Sequence, residues 1–214
     1  MKNRRIDKKA WGFSIIELLI AMTIMLVVLS LAAGLLSKSL STRSRESSRT
    51  DALTATQAAL NVISREVANS GYGLKGNGIV LGADSNNKKL HFLSNVTNTN
   101  WVTTDPGENI TYFYDPGTKS ILRYDANANP NGINSGETSI IINRISDLDF
   151  KYYDYVGSVS TPPVGSVTPT ENTARIKVTI TVMLENVQGQ PKDQKVVLTS
   201  DVTLRNSDYM LQQY

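Results

Sequence analysis

The sequence predicts an α+β fold in which one long N-terminal helix is followed by an antiparallel sheet. Two observations lead to this prediction. Residues 13–36 are almost entirely apolar, and no Pro or Gly interrupts the chain between Leu36 and Gly71. Beyond Gly71, apolar and polar residues alternate with a period of two, which is the pattern of strands with one buried face and one wet face.

The predicted helix has two parts. Its apolar part, residues 13–36, is 24 residues long, and about 20 apolar residues cross the hydrocarbon core of a bilayer. The second part is amphipathic, because Leu53, Leu60, Ile63 and Val67 recur at the spacing of one helical face. Gly71 suits the left-handed residue that ends a helix. We therefore predict a helix from residue 13 to about residue 70, with a transmembrane half and a half packed on the sheet.

The strands are predicted from alternation and from turn residues. Residues 110–114 and 121–124 flank Asp-Pro-Gly-Thr-Lys, which predicts a hairpin. A segment with three prolines, residues 156–172, is predicted to be a solvated loop. The remaining strands are expected at residues 90–93, 140–142, 148–155, 175–182 and 196–204.

The N-terminus does not fit an ordinary signal peptide or anchor. Five cations precede Gly12, and the apolar run that follows has Glu17 as its only charge. A secretory signal peptide has a shorter apolar region with its cleavage site beyond that region. A carboxylate inside a bilayer costs about 2.5 kcal/mol or more unless it is paired. The five leader cations are Lys2, Arg4, Arg5, Lys8 and Lys9.

The positive net charge of the chain comes from its first twelve residues. The chain has 22 Lys and Arg residues, 19 Asp and Glu residues and a formal net charge of +3. Five of these cations and one acid lie in residues 1–12, which leaves 17 and 18 in the rest, a net charge of −1. The basic excess therefore belongs to the leader, and we expect no nucleic-acid partner. The chain has no cysteine, so no disulfide stabilises it.

The stretch from Lys8 to Met22 resembles the start of a type IV prepilin. The resemblance implies that prepilin peptidase cuts after Gly12 and N-methylates Phe13, and that Glu17 neutralises an N-terminal ammonium during filament assembly. The chemistry is reasonable, because glycine passes through a narrow protease cleft without a side chain to clash. The leader cations would keep the leader cytoplasmic.

Short patches further along resemble PilW-type minor pilins, and GspJ-type minor pseudopilins share much of this layout. The function implied first is a minor type IV pilin that helps to initiate or cap a pilus. The alternatives are a minor pseudopilin of a type II secretion system, or, from another class, a membrane-anchored adhesin or ligand-binding ectodomain. The patches are residues 63–67, 71–74, 122–124, 145–152 and 202–206.

The resemblance also implies an organisation and a set of partners. Residues 1–12 would be the leader, residues 13–36 the transmembrane and filament-core helix, and residues 37–214 a periplasmic or extracellular globular domain. The partners would be prepilin peptidase, other minor and major pilins or pseudopilins, and the inner-membrane assembly platform. The protein would lie in the bacterial inner membrane before assembly and in a pilus or pseudopilus afterwards.

One loop has a weak metal-binding pattern. Asp125, Asn127, Asn129 and Asn131 place oxygen ligands at alternate positions, like the start of a calcium loop. The following glycine is two places late, and Glu137 is one place past the usual final ligand. Asn- and Gly-rich turns are common, so we expect no metal and no cofactor. No nucleophile–His–acid set or phosphate loop is present in the sequence, and we expect no enzymatic activity.

Overall fold

The computed structural model describes residues 12–97, 102–128, 136–156, 159–184 and 191–211. The chain divides into two compact units. The first ends at Glu46, and the second begins at Ser47. Two helices, a short 3-10 turn at Gly82–Asp84 and eight strands are present in the described ranges. Their bounds are α1 Ile15–Ala68, β1 Lys89–Leu93, β2 Asn109–Asp115, β3 Ser120–Asp125, β4 Glu137–Ile142, β5 Ile145–Val156, β6 Val159–Ser166, β7 Thr173–Met183, β8 Lys195–Thr203 and α2 Asp208–Leu211.

The predicted long helix is confirmed, with a small difference at its C-terminal end. α1 stops at Ala68, and Asn69 and Ser70 follow in a tighter turn, with amides that donate to the carbonyls of Glu66 and Val67. Gly71 then adopts a positive φ of 77°. Its amide donates to the Leu93 carbonyl at 2.9 Å, so this glycine turns the chain towards β1 rather than capping the helix itself.

The strands form two antiparallel sheets rather than the single sheet expected. The first has the order β1-β2-β3-β4 and the second the order β6-β5-β7-β8. Backbone hydrogen bonds join β5 of the second sheet to loops of the first: the Phe150 amide donates to the Asn87 carbonyl and the Ile145 amide to the Lys119 carbonyl, both at 2.9 Å. One buried cluster contains side chains of both sheets, such as Tyr112 of the first and Ile176 of the second, so the two sheets share one core.

Most strand predictions are confirmed. β2 and β3 pair as the expected hairpin, with Ile110 opposite Asp125 and Asp115 opposite Ser120. In β7 the even-numbered side chains from Ile176 to Val182 are buried, as the alternation predicts.

The predicted loop at residues 156–172 is wrong, because it contains β6. This strand pairs with β5 at the edge of its sheet, and the pairing is irregular between Tyr152 and Asp154. Pro162 and Pro163 lie between Thr161 and Ser166, where the pairing with β5 shifts, and a bulge in an edge strand tolerates residues without an amide proton. These two prolines therefore mark an irregular edge strand rather than a loop.

The second half of α1 packs against the sheets through a buried face. Leu60, Ile63 and Val67 are buried as expected, and Thr56 and Ala59 join them. Leu53 was also expected on this face, but 37% of it is exposed. At 100° per residue Leu53 lies at the margin of the face that Ile63 centres, which explains the error. The helix meets a core that includes Leu148, Phe150, Ile176, Val178 and Ile180.

Candidate functional site

The predicted processing site lies directly before α1. Gly12, Phe13 and Ser14 are not helical, and the first helical hydrogen bond runs from the Leu18 amide to the Ser14 carbonyl at 3.1 Å. Phe13 is 84% exposed. Among the described residues, no atom lies within 4 Å of the position that a Cβ on Gly12 would take. The bond between Gly12 and Phe13 is thus in an exposed, non-helical stretch of backbone.

Glu17 lies in the first turn of α1, four residues after Phe13. A carboxylate there is favourably placed, because the free amides at a helix N-terminus carry partial positive charge. Glu17 is exposed and is the only acid of the apolar segment. The structure thus places the three predicted residues Gly12, Phe13 and Glu17 within one short stretch at the start of the helix.

The apolar segment beyond Glu17 buries nothing within the first compact unit. Its large side chains from Ile15 to Leu36 are all exposed. By length and composition, this part of α1 could cross a membrane. An apolar surface of this extent needs an apolar partner, since soluble monomers rarely expose one.

Several other predicted site residues lie outside the described ranges. The leader cations Lys2, Arg4, Arg5, Lys8 and Lys9 are among them, as are Asn129 and Asn131 of the calcium pattern.

Asp125 and Asn127, the two described members of the calcium pattern, are engaged with protein groups. The Asp125 carboxylate accepts from the amides of Gly107 at 2.7 Å and Asn127 at 3.1 Å. The Asn127 side-chain amide donates to the carbonyls of Thr103 and Asp105. In the described part of the chain, no group of three His, Cys, Asp or Glu residues is arranged to hold a metal ion. The expectation that no metal binds in this loop stays a prediction.

A polar link joins α1 to the first sheet, and sequence reasoning missed it. Glu66 Oε2 accepts from the Tyr112 hydroxyl at 2.7 Å and from Arg123 Nε at 2.9 Å. Burial, together with the Glu66 carboxylate, holds the pKa of Tyr112 far above its ordinary value. Burial alone would lower the pKa of Arg123, but Glu66, with smaller contributions from Tyr112 and Asp125, raises it. An acid beside the buried helix face and an arginine in an apolar strand were the available signals.

A second link fixes the loop that follows α1. Nδ2 of Asn77 lies 2.9–3.1 Å from the carbonyls of Thr170, Glu171 and Thr173, and its Oδ1 accepts from the Ile79 amide. The Asn77 carbonyl accepts from the Ser70 hydroxyl at 2.6 Å. This buried amide therefore connects the end of the helix to the segment before β7.

The comparisons with known proteins bear on the N-terminus. The sequence profile of the prokaryotic N-terminal methylation motif matches residues 9–33, which include Gly12, Phe13 and Glu17. The chain therefore carries the methylation motif of type IV prepilins. The motif is followed by the rest of one long helix and by antiparallel sheets, so the chain combines a prepilin methylation motif with an α+β architecture.

Among solved structures, a type IV-like pilin from Thermus thermophilus is similar to this chain. The two are 12% identical, with a TM-score of 0.40, and the alignment covers 72% of this chain and 96% of the other. Curated protein sequences give no match.

Proposed function

We propose that this protein is a minor type IV pilin of the PilW type, which helps to initiate or cap a pilus. In this role prepilin peptidase removes residues 1–12 and methylates Phe13. The mature subunit waits in the inner membrane, with residues 13–36 across the bilayer and the globular part on the far side. The assembly platform then extracts it, and it joins other minor and major pilins.

One observation carries this proposal: a fully exposed apolar helix that begins with a single carboxylate, directly after an open Gly-Phe bond. Cleavage at that bond creates an ammonium on Phe13, four residues from Glu17. Near the bilayer surface, water and headgroups screen both charges. Inside a filament that screening is lost, and each charge needs a partner on the same or a neighbouring subunit.

The globular unit supports the same role. Residues 47–68 of α1 form part of its core, and Glu66 ties this part of the helix to Tyr112 and Arg123 of the first sheet. A subunit that is extracted by its helix needs the helix firmly attached to the domain it displays. The buried face and the Glu66 link supply that attachment.

Complementation of a deletion strain with Glu17 variants tests the proposal. We expect Glu17→Val and Glu17→Ala to insert in the membrane and to be cleaved normally, but to fail in filament incorporation. Truncating one member of a buried ion pair typically costs about 3–5 kcal/mol, because the other charge is left unpaired. Glu17→Asp, which is one methylene shorter, should be partly defective. Asp51→Ala removes an exposed carboxylate of the same helix in the globular unit and is the matched control.

The experiment separates the function classes. In a plain membrane-anchored receptor, removing an intramembrane carboxylate is neutral or favourable. Wild-type assembly by Glu17→Val would therefore contradict the proposed role and favour the displayed ectodomain.

A further inference from the structure

Two exposed cations follow the apolar segment of α1. Lys38 and Arg43 lie within the next two helical turns, both inside the first compact unit. Neither side chain forms a hydrogen bond or an ion pair with any residue in the described ranges. These two positive charges are therefore available to a partner outside the chain.

The sequence around the two cations offers few acids. No Asp or Glu occurs between Glu17 and Glu46, so Lys38 has no acid within four positions on either side. Glu46 is three positions after Arg43, a spacing at which side chains of one helix can pair. An exposed surface helix ordinarily alternates its charges, and the shortage of acids before Glu46 is consistent with a partner outside the helix.

The side chains around the two cations share one face of the helix. Leu35, Lys38, Ser39, Thr42 and Arg43 line a shallow groove on its surface. The Thr42 hydroxyl donates back to the Lys38 carbonyl at 3.0 Å. The groove thus offers an apolar residue at one end, and its charged donors are the Lys38 ammonium and the Arg43 guanidinium.

The spacing along the helix fits the headgroup layer of a bilayer. With residues 13–36 in the hydrocarbon, a rise of about 1.5 Å per residue places Lys38 about 3 Å and Arg43 about 10 Å beyond Leu36. The headgroup layer extends about 5–8 Å from the hydrocarbon on each side. The long side chain of Arg43 reaches back into this layer, as flanking cations commonly do.

We propose that Lys38 and Arg43 bind the phosphate of an anionic phospholipid, such as phosphatidylglycerol, on the far side of the membrane from the leader. Arg43 offers a planar fork that matches phosphate oxygens, and Lys38 offers a point charge beside it. Leu35 contacts the acyl chain below. This inference rests on the membrane anchoring in the proposed function.

The binding has a consequence after processing. Cleavage removes all five leader cations, so the mature chain keeps its flanking Lys and Arg side chains only at the other end of the span, while the leader end has the new ammonium of Phe13. Lipid phosphates on Lys38 and Arg43 then hold the helix at a fixed depth until the assembly platform extracts it.

The test uses the full-length chain with a single fluorophore. Because the chain has no cysteine, Ser44→Cys gives one labelling site close to the groove but on another face of the helix. Labelled protein in a zwitterionic detergent is titrated with phosphatidylglycerol, with phosphatidylcholine and with inorganic phosphate. We expect a saturable response to phosphatidylglycerol alone.

Variants assign the response to the two cations. At about 1 kcal/mol for each cation near an anionic surface, each single Gln substitution should weaken phosphatidylglycerol binding about fivefold, and Lys38→Gln with Arg43→Gln about thirtyfold. The swap Lys38→Arg with Arg43→Lys keeps the charge and should retain most of the binding. Lys192→Gln with Lys195→Gln removes the same charge from exposed positions in the globular unit and should change nothing.

Several outcomes would overturn the inference. These are an equal response to phosphatidylcholine, an equal potency of inorganic phosphate, unchanged binding in the double Gln variant, and an equal loss in the control pair. If lipid binding is absent but the double Gln variant is excluded from filaments, the cations serve a carboxylate of another subunit instead. Vesicle flotation separates failure of the lipid-binding inference from failure of the proposed function. A chain that does not float with vesicles contradicts the membrane anchoring on which the inference rests, whereas a chain that floats but does not bind phosphatidylglycerol contradicts the inference alone.

Discussion

Arg123 and Glu66 are 57 positions apart in sequence, yet Arg123 Nε donates to Glu66 Oε2 at 2.9 Å. The same oxygen accepts from the Tyr112 hydroxyl at 2.7 Å. Both charged side chains are mostly buried, with 20% of Arg123 and 27% of Glu66 exposed. Glu66 therefore attaches the last turn of α1 to two neighbouring strands of the first sheet, to β2 through Tyr112 and to β3 through Arg123.

Removing the Glu66 carboxylate should destabilise the globular unit. Glu66→Ala leaves Arg123 and the Tyr112 hydroxyl without their shared acceptor, and we expect the free energy of unfolding to fall by about 2 kcal/mol. Chemical denaturation of the two proteins measures this difference. Glu137→Ala, which removes an exposed carboxylate from β4, is the control and should change stability by less than about 0.5 kcal/mol. Equal losses in the two variants would show that the link is not stabilising.

The raised pKa of Tyr112 predicts a loss of stability at alkaline pH. Burial and the Glu66 carboxylate keep the folded phenol protonated, whereas the unfolded phenol ionises near its ordinary pKa of about 10. The unfolded state then binds fewer protons, so stability falls by about 1.4 kcal/mol per pH unit above that value. Tyr112→Phe removes this phenol, so the loss of stability with rising pH should become less steep by about 1.4 kcal/mol per pH unit. Tyr72→Phe, at an exposed tyrosine, should leave the slope unchanged. An unchanged slope in Tyr112→Phe would contradict the prediction.

Gly78 should not tolerate a side chain. Its φ is +73°, and a Cβ would collide with the Gly71 amide nitrogen and the Leu93 carbonyl. We expect Gly78→Ala to cost more than about 3 kcal/mol, since backbone atoms must move. Gly82 has a φ of +80° with open space around it, so Gly82→Ala should cost only the conformational strain, about 1 kcal/mol. Thermal unfolding compares them, and equal costs would show that the close approach at Gly78 is unimportant.

Asn77 should be more sensitive to charge than to truncation. Asn77→Asp replaces a donor that faces three carbonyl oxygens with an acceptor, so we expect it to destabilise more than Asn77→Ala, by about 2 kcal/mol or more. Asn61→Asp, at an exposed position where the side-chain oxygen already accepts from Gln57, is the control. Urea denaturation at neutral pH ranks the variants, and a milder effect of Asp than of Ala at position 77 would contradict the assignment.

Local patterns predicted the elements well. The helix, the β2–β3 hairpin and the alternation of β7 all follow from spacing and turn residues within one segment. Two local patterns misled. Pro162 and Pro163 concealed the edge strand β6, in which they lie at an irregularity of the pairing, and Leu53 lies at the margin of the buried face rather than within it.

Long-range contacts could not be predicted from the sequence. The division of the strands into two sheets depends on which strands pair, and periodicity does not encode pairing partners. The same holds for Glu66 with Arg123, and for Asn77 with carbonyls more than 90 positions away. At the N-terminus the opposite is true, because Gly12, Phe13 and Glu17 lie within six consecutive residues and their arrangement is local.

The N-terminal residue of the mature protein tests the central claim most directly. The protein is expressed in a host with active prepilin peptidase, and its membrane or filament fraction is analysed by intact mass and N-terminal sequencing. We expect loss of residues 1–12 and an N-methylated Phe13 at the new terminus. A retained leader, or cleavage at a small residue beyond Leu36, would contradict the account of this chain as a processed pilin.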